Sequence, residues 1–138
     1  ESINIQGFED NVKLCVDEDI NDLYLISDLL ITDYSSVMFD YAILNRPMLF
    51  YPYDLAHYQG DDRGFYFDYN KVPGPIVTNE QDFLAKLDQF LTNDGYPNET
   101  AKMMAFRTQF TEWEQGTASQ RVVKLITSID QNANNYTG

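Results

Sequence analysis

The stretch LLITDYSSVMFDYAILNRPMLFY, residues 29–51, constrains the fold more than any other part of this chain. Residues 29–32 are a compact apolar run of strand length. Ser35 or Ser36 then opens a helix. Its side chains Val37, Met38, Phe39, Tyr41, Ala42 and Leu44 are apolar nearly all round, so the helix is expected to be buried on more than one face. Asn45, Arg46 and Pro47 close it with a left-handed cap, a cation at the negative end and a breaker. Residues 48–53 read as the next strand. Strand, helix, strand with tight connections is the signature of a βαβ unit in a parallel sheet. The fold class expected is therefore α/β, a Rossmann-like parallel sheet flanked by helices.

The flanks fill out this plan. Val12, Leu14 and Val16 alternate as in a short strand, and Cys15 within it reads as a small buried hydrophobe. Asp19 can cap a short helix to about Ser27, with Ile20, Leu23, Tyr24 and Ile26 or Ser27 on one face. Residues 54–75 lack periodicity and are rich in Asp, Tyr and Gly; so long a loop in a compact domain points to function. Ile76 and Val77 suit a last short strand. Thr78 and Gln81 form a capping box before a helix carrying Phe83, Leu84, Leu87, Phe90 and Leu91. A second helix over 99–113 carries Met103, Met104, Phe106 and Phe110, a stripe that reads as core. Thr117 and Gln120 cap a final helix through Val122, Val123, Ile126 and Ile129. The 138 residues make one domain, partial in extent, with a βαβ core and ligand loop over about 1–77 and C-terminal helices over 78–138.

Composition removes several function classes. The net charge is −13 and no run of Lys or Arg is present, so nucleic acid and anionic lipid are poor partners. No apolar run approaches the roughly 20 residues of a membrane span, so membrane association is not encoded here. One Cys and one His cannot build a Cys/His metal site or an internal disulfide. The opening residues ESINIQGFED carry no Met, which suggests a piece excised from a longer protein, or a processed one.

The chemistry of the chain concentrates where the first strand hands over to its helix. Ligands of parallel α/β sheets collect beyond the carboxyl ends of the strands. Thr32, Asp33, Tyr34, Ser35 and Ser36 stand at such an end. A helix N-terminus offers unpaired N–H groups and partial positive charge, which suit a phosphate. Serine hydroxyls can add donors there. Asp33 is too negative to touch phosphate well and better accepts from a hydroxyl or orients the loop. The plainer reading is that Ser35 and Ser36 only cap the helix. Spacing alone leaves both open, because neither GxGxxG nor GxxxxGK[ST] is present.

The segments DINDLYLISDLLITDYSSVMFDYAILNRPMLFYPYDLAHY, RGFYFDY, PGPIV and GTASQRVV occur in that order. Together they strongly resemble the CDP-glycerol glycerophosphotransferases of bacterial teichoic acid synthesis, from about Asp17 to Ile126. The resemblance implies two Rossmann-like lobes in a GT-B-type arrangement, with this chain as the distal part of the C-terminal, donor-binding lobe. It implies CDP-glycerol as donor, a lipid-linked glycerophosphate polymer as acceptor through the other lobe, and work at the cytoplasmic face of the cell membrane. The family's catalytic histidines are expected upstream, so no catalytic residue is assigned here and the piece alone is expected to be inactive. Ser35 and Ser36 match the positions expected to hold the donor diphosphate, with Thr32 and Asp33 at the same strand end. Arg63 suits a phosphate oxygen, or pairs with Asp61 or Asp62 at the surface. Asp54 suits a glycerol or ribose hydroxyl, or caps a turn. Ser119 is placed near the nucleotide, although capping explains it equally. His57 reads as an exposed loop histidine, and Gln115 departs from the usual acidic residue before Gly. No cofactor is implied, and Mg²⁺ is allowed by the chemistry without being demanded by any spacing. A CDP-ribitol transferase, a priming enzyme and a non-catalytic nucleotide-binding module remain alternatives.

If Arg63 holds the donor, Arg63→Lys in the full-length transferase should lower kcat/KM, because the planar fork is lost. Full activity would return Arg63 to a surface ion pair.

Overall fold

The computed structural model describes residues 3–53, 67–92 and 99–134. In chain order the elements are α1 (Ile20–Ile26), β1 (Leu30–Thr32), α2 (Val37–Ala42), β2 (Met48–Phe50), a 3₁₀ turn (Tyr69–Lys71), α3 (Glu80–Thr92), α4 (Glu99–Phe110) and α5 (Ala118–Asn134). β1 and β2 pair in parallel, with Leu30, Ile31 and Thr32 opposite Met48, Leu49 and Phe50. Ile76 bridges Phe50 in parallel on the other side. There the Phe50 N–H donates to Pro75 O and Val77 N–H donates to Phe50 O, each at 2.9 Å. The expected βαβ unit and the short strand at 76–77 are therefore present.

β2 lies between two neighbours, and all three of its residues are buried. Its run of consecutive apolar residues reflects that position, since a strand covered on both faces needs no polar alternation. The second strand stops at Phe50, short of the expected Tyr53, and the chain passes through Pro52, which has no N–H for a ladder. α2 packs over the pair with Met38, Tyr41 and Ala42 buried, as its all-round apolar pattern predicts. α4 covers α2 from outside. Met103 and Phe106 are buried, and Phe39 of α2 stacks on Phe106 at 5.3 Å and meets Phe110 edge-on at 5.2 Å. Phe67 completes this aromatic group, 5.7 Å from Phe39.

Two local devices fix the crossover. Asp19 caps α1, accepting from the Asn21 N–H at 2.8 Å, as its place in the sequence suggests. Asn45 takes φ 53°, the left-handed end of the α2 segment. Arg46 does not, however, serve the carboxyl end of α2. The reversal at Asn45 carries it back to α1, where Nη1 donates to the carbonyls of Tyr24 (3.1 Å), Leu25 (2.8 Å) and Ser27 (2.7 Å). These belong to the last turn of α1 and its cap, so the guanidinium satisfies orphan acceptors of the neighbouring helix. The Tyr41 hydroxyl also donates to Ser27 O, at 2.9 Å.

Other expectations are corrected. Residues 12–16 form no strand: no described strand pairs with them, and Val12, Leu14, Val16 and Cys15 are exposed. An alternating pattern without a partner ladder stays extended and wet. The cap of α3 lies one residue later than the Thr78–Gln81 box. Asn79 Oδ1 accepts from the Asp82 N–H at 2.9 Å, and Asn79 Nδ2 donates to Asp82 Oδ2 at 2.7 Å. The Asn79 amide carries both an acceptor and a donor, and it uses one on the Asp82 backbone and the other on its side chain. The α3 stripe is only partly covered, with Leu84 and Leu91 exposed, and Val122, Val123, Leu125, Ile126 and Ile129 of α5 are each more than half exposed.

The PGP segment packs on β2 from the amino end. A Cβ built on Gly74 would run into the Met48 carbonyl oxygen and lie 2.9 Å from its carbon. Both are backbone atoms of a buried strand and cannot give way. Gly74→Ala should therefore destabilise the protein by about 1–3 kcal/mol, the usual cost of overpacking a core, as read by urea denaturation. Arg46→Met should cost a similar amount, about 1.5–3 kcal/mol, from the loss of charged hydrogen bonds to backbone. A stability within 0.5 kcal/mol of the parent would reject either account.

Candidate functional site

Parallel pairing puts the carboxyl ends of β1, β2 and residues 76–77 along one edge of the sheet. That edge collects Thr32 at the end of β1 and Asp33 after it, Tyr51 after β2, and Thr78 and Asn79 after the bridge. The ladder itself holds the first of these: Tyr51 N–H donates to Thr32 O at 2.8 Å. Beyond it the chain turns through Asp33, Tyr34, Ser35 and Ser36 into α2.

The two serines behave differently. Ser35 is part-buried, and its Oγ accepts from the Val37 N–H at 3.4 Å, a long contact that leaves the hydroxyl proton available. Ser36 occupies the cap position, yet its backbone is already helical (φ −65°, ψ −10°) and its side chain makes no capping bond. It is also exposed. Side-chain capping, the plainer explanation of this pair, is thus absent at Ser36 and weak at Ser35. Among residues 32–37 Ser36 is the exposed one, and its neighbours are part-buried. At six residues α2 contributes little macrodipole, so individual N–H and O–H donors must supply most of any pull on an anion.

Tyr69 reaches the turn from the opposite side of the sequence. Its hydroxyl donates to Asp33 O at 2.8 Å across a separation of 36 residues. Its ring is buried, lies 5.7 Å from Tyr34 and meets Phe50 edge-on at 6.1 Å. Burial first, and the negative charge of Asp33 second, push the phenol well above its ordinary pKa, so Tyr69 keeps its proton at all physiological pH. The charge of Asp33 also stands near the turn, which suits it to accept from a sugar or polyol hydroxyl and not to meet phosphate.

On the β2 side, Tyr51 stacks on Phe83 of α3 at 4.8 Å, and the exposed Tyr53 lies 6.2 Å from Tyr51. The strand-end edge is therefore flanked by aromatic surface. Thr32, Asp33, Ser35 and Ser36 are brought together as the sequence implies. Ser119 is not: it is exposed on the first turn of α5, and no described contact links it to the turn. Asp54, His57 and Arg63 lie outside the described residues. No group of three or more His, Cys, Asp or Glu suited to a metal occurs among the described residues. No described helix is long and apolar enough to cross a membrane.

Sequence reasoning missed Tyr69, Tyr51 and Phe83. The tyrosine of FDY was visible as part of a motif, but nothing local says that it reaches a turn 36 residues back.

A family model described as CDP-Glycerol:Poly(glycerophosphate) glycerophosphotransferase matches residues 1–128. The chain belongs to this family. It is 49% identical over 125 residues to the teichoic acid glycerol-phosphate transferase of Staphylococcus aureus (strain NCTC 8325 / PS 47), a match covering 88% of this chain and 31% of that protein. The ribitol-phosphate polymerase TarL of the same organism is 40% identical over 109 residues, covering 78% of this chain and 18% of that one. Among solved structures, a variant of the wall teichoic acid polymerase TagF soaked with CDPG superposes with a TM-score of 0.73 at 37% identity. That match covers 95% of this chain and 33% of the TagF chain. The α/β class and the GT-B-type setting implied by the resemblance stand with this neighbour. The chain spans a third or less of the length of each of these relatives.

Proposed function

We propose that this chain is the donor-binding part of a CDP-glycerol:poly(glycerophosphate) glycerophosphotransferase. The observation that carries the reading is the hydroxyl pair at the carboxyl end of β1, where Ser36 is exposed and makes no capping bond. A diphosphate needs donors that are not already consumed by the fold. Ser36 Oγ, the proton of Ser35 Oγ and the Met38 N–H in the first turn of α2 are such donors, set at the edge where parallel α/β sheets take ligands.

In this reading the donor is CDP-glycerol, its diphosphate lies at the mouth of α2, and Asp33 or Asp54 accepts from a hydroxyl of glycerol or ribose. Arg63 adds a bidentate cation to the phosphates. A hydroxyl at the end of the growing polymer attacks the β-phosphorus, the bond from that phosphorus to the bridging oxygen breaks, and CMP leaves with the electron pair. The hydroxyl proton passes to a base outside this chain. What this chain supplies is position and charge stabilisation, worth most where donors are already aimed at the oxygens that gain charge. No metal is required by the reading. The acceptor is a lipid-linked glycerophosphate polymer met at the inner face of the cell membrane, through parts of the protein beyond this chain. Ser119 belongs to the reading only if the nucleotide extends to α5.

Glycerol is preferred to ribitol because the glycerol-phosphate transferase is the more similar relative, at 49% against 40% identity. The turn itself would serve either donor.

In the full-length transferase, replacing both Ser35 and Ser36 by Ala should cut kcat/KM for CDP-glycerol at least tenfold, about 1.4 kcal/mol or more, mainly through KM for the donor. A folded variant with unchanged donor kinetics would reject the site. CDP-ribitol, run as a second donor, checks the choice of polyol.

A further inference from the structure

We propose that Tyr69 is a positioning residue of the donor site, which sets the plane of the Asp33–Tyr34 peptide at the mouth of α2. The inference rests on the donor-site reading above and assigns to that site a residue that makes its contact from a distant part of the sequence.

The turn after β1 is held at two carbonyls. Thr32 O is fixed by the sheet through the Tyr51 N–H. Asp33 O, one residue further, is beyond the ladder, and the Tyr69 hydroxyl takes over there at 2.8 Å. A peptide unit is planar and trans, so its C=O and N–H point in opposite directions. Binding the Asp33 carbonyl therefore also fixes the direction of the Tyr34 N–H, on the side away from Tyr69. The orientation of the following residues, Ser35 and Ser36, is inherited from that plane. With a helix of only six residues behind it, the site depends on how single donors are aimed, and a rotation of one peptide matters more than it would at the end of a long helix.

Tyr69 is built to hold such a position. It starts a 3₁₀ turn capped by Asp68, whose Oδ1 accepts from the Asn70 N–H and side-chain amide, both at 3.0 Å. The Val72 N–H then closes the turn on Tyr69 O at 3.3 Å. Val72, Pro73 and Gly74 follow in the interior, pressed on β2. The ring is seated edge-on to Phe50, the β2 residue paired with Thr32. One residue of β2 thus registers both the strand that leads into the turn and the tyrosine that clamps it.

The test uses Tyr69→Phe in the full-length transferase, which removes the hydroxyl and keeps the ring. The expected result is a KM for CDP-glycerol raised at least threefold, with the KM for the polymer acceptor unmoved. That split would not arise from a loss of folded protein, which lowers the apparent kcat alone. The effect should also shrink when Ser35 and Ser36 are already Ala, because the clamp acts through them. An unchanged donor KM in Tyr69→Phe, beside a raised one in the double Ala variant, would overturn the proposal and leave the donor site standing. Unchanged donor kinetics in both would remove the site and the clamp together. Equal rises in donor and acceptor KM would also overturn the clamp. Should Tyr69→Phe not fold, 4-aminophenylalanine at position 69 carries the same test. It is a weaker donor of the same shape and should raise the donor KM by an intermediate factor, and a parent-like value would overturn the proposal.

Discussion

The structure depends on the burial of β2. Three apolar residues, Met48, Leu49 and Phe50, are fully enclosed, with β1 on one edge and residues 75–77 on the other. Burying each such side chain is worth about 1.5–3 kcal/mol, and every backbone group of a strand so enclosed must find a partner. The partners found are all parallel. That single constraint sends three strand ends to the same edge and so creates a place where a ligand can meet several turns at once.

Tight joints transmit this constraint outward. Gly74 lets the PGP segment touch the Met48 carbonyl, which brings Tyr69 to the interior face of Phe50. Arg46 ties the return of the crossover to the last carbonyls of α1. Phe39 links α2 to α4 through an aromatic group that includes Phe67. Residues far apart in the chain therefore converge on one six-residue helix, and its mouth is held from both the β2 side and the Tyr69 side. The exposed Ser36 at that mouth stands beside a packed group of β2, α2 and α4.

Chemically the site is modest. It offers hydroxyls, backbone N–H groups and a carboxylate, with no described metal cluster and no described nucleophile set beside a base. Such a set suits the binding and orientation of an activated phosphate donor proposed for it. The chain itself spans a third or less of the length of these relatives.

Much was legible in the amino-acid order, because its signals are local. The apolar run at 29–32, the all-round apolar helix after the serines, Asn45 before Arg46 and Pro47, and the Asp19 cap each reflect a preference of a few adjacent residues, and each appears in the fold. The likeness to the glycerophosphotransferases was legible for the same reason, being carried by ordered short motifs. Other outcomes were decided only by tertiary contact. Residues 12–16 alternate like a strand, yet no described strand pairs with them, and Cys15 is exposed. Arg46 was placed by charge at the end of its own helix, whereas the chain reversal delivers it to α1. Nothing near Tyr69 announces Asp33, and nothing near the serines says whether they cap. Pairing, long-range hydrogen bonds and exposure are properties of which distant segments meet, and a local sequence pattern carries no information about that until the buried strand has brought them together.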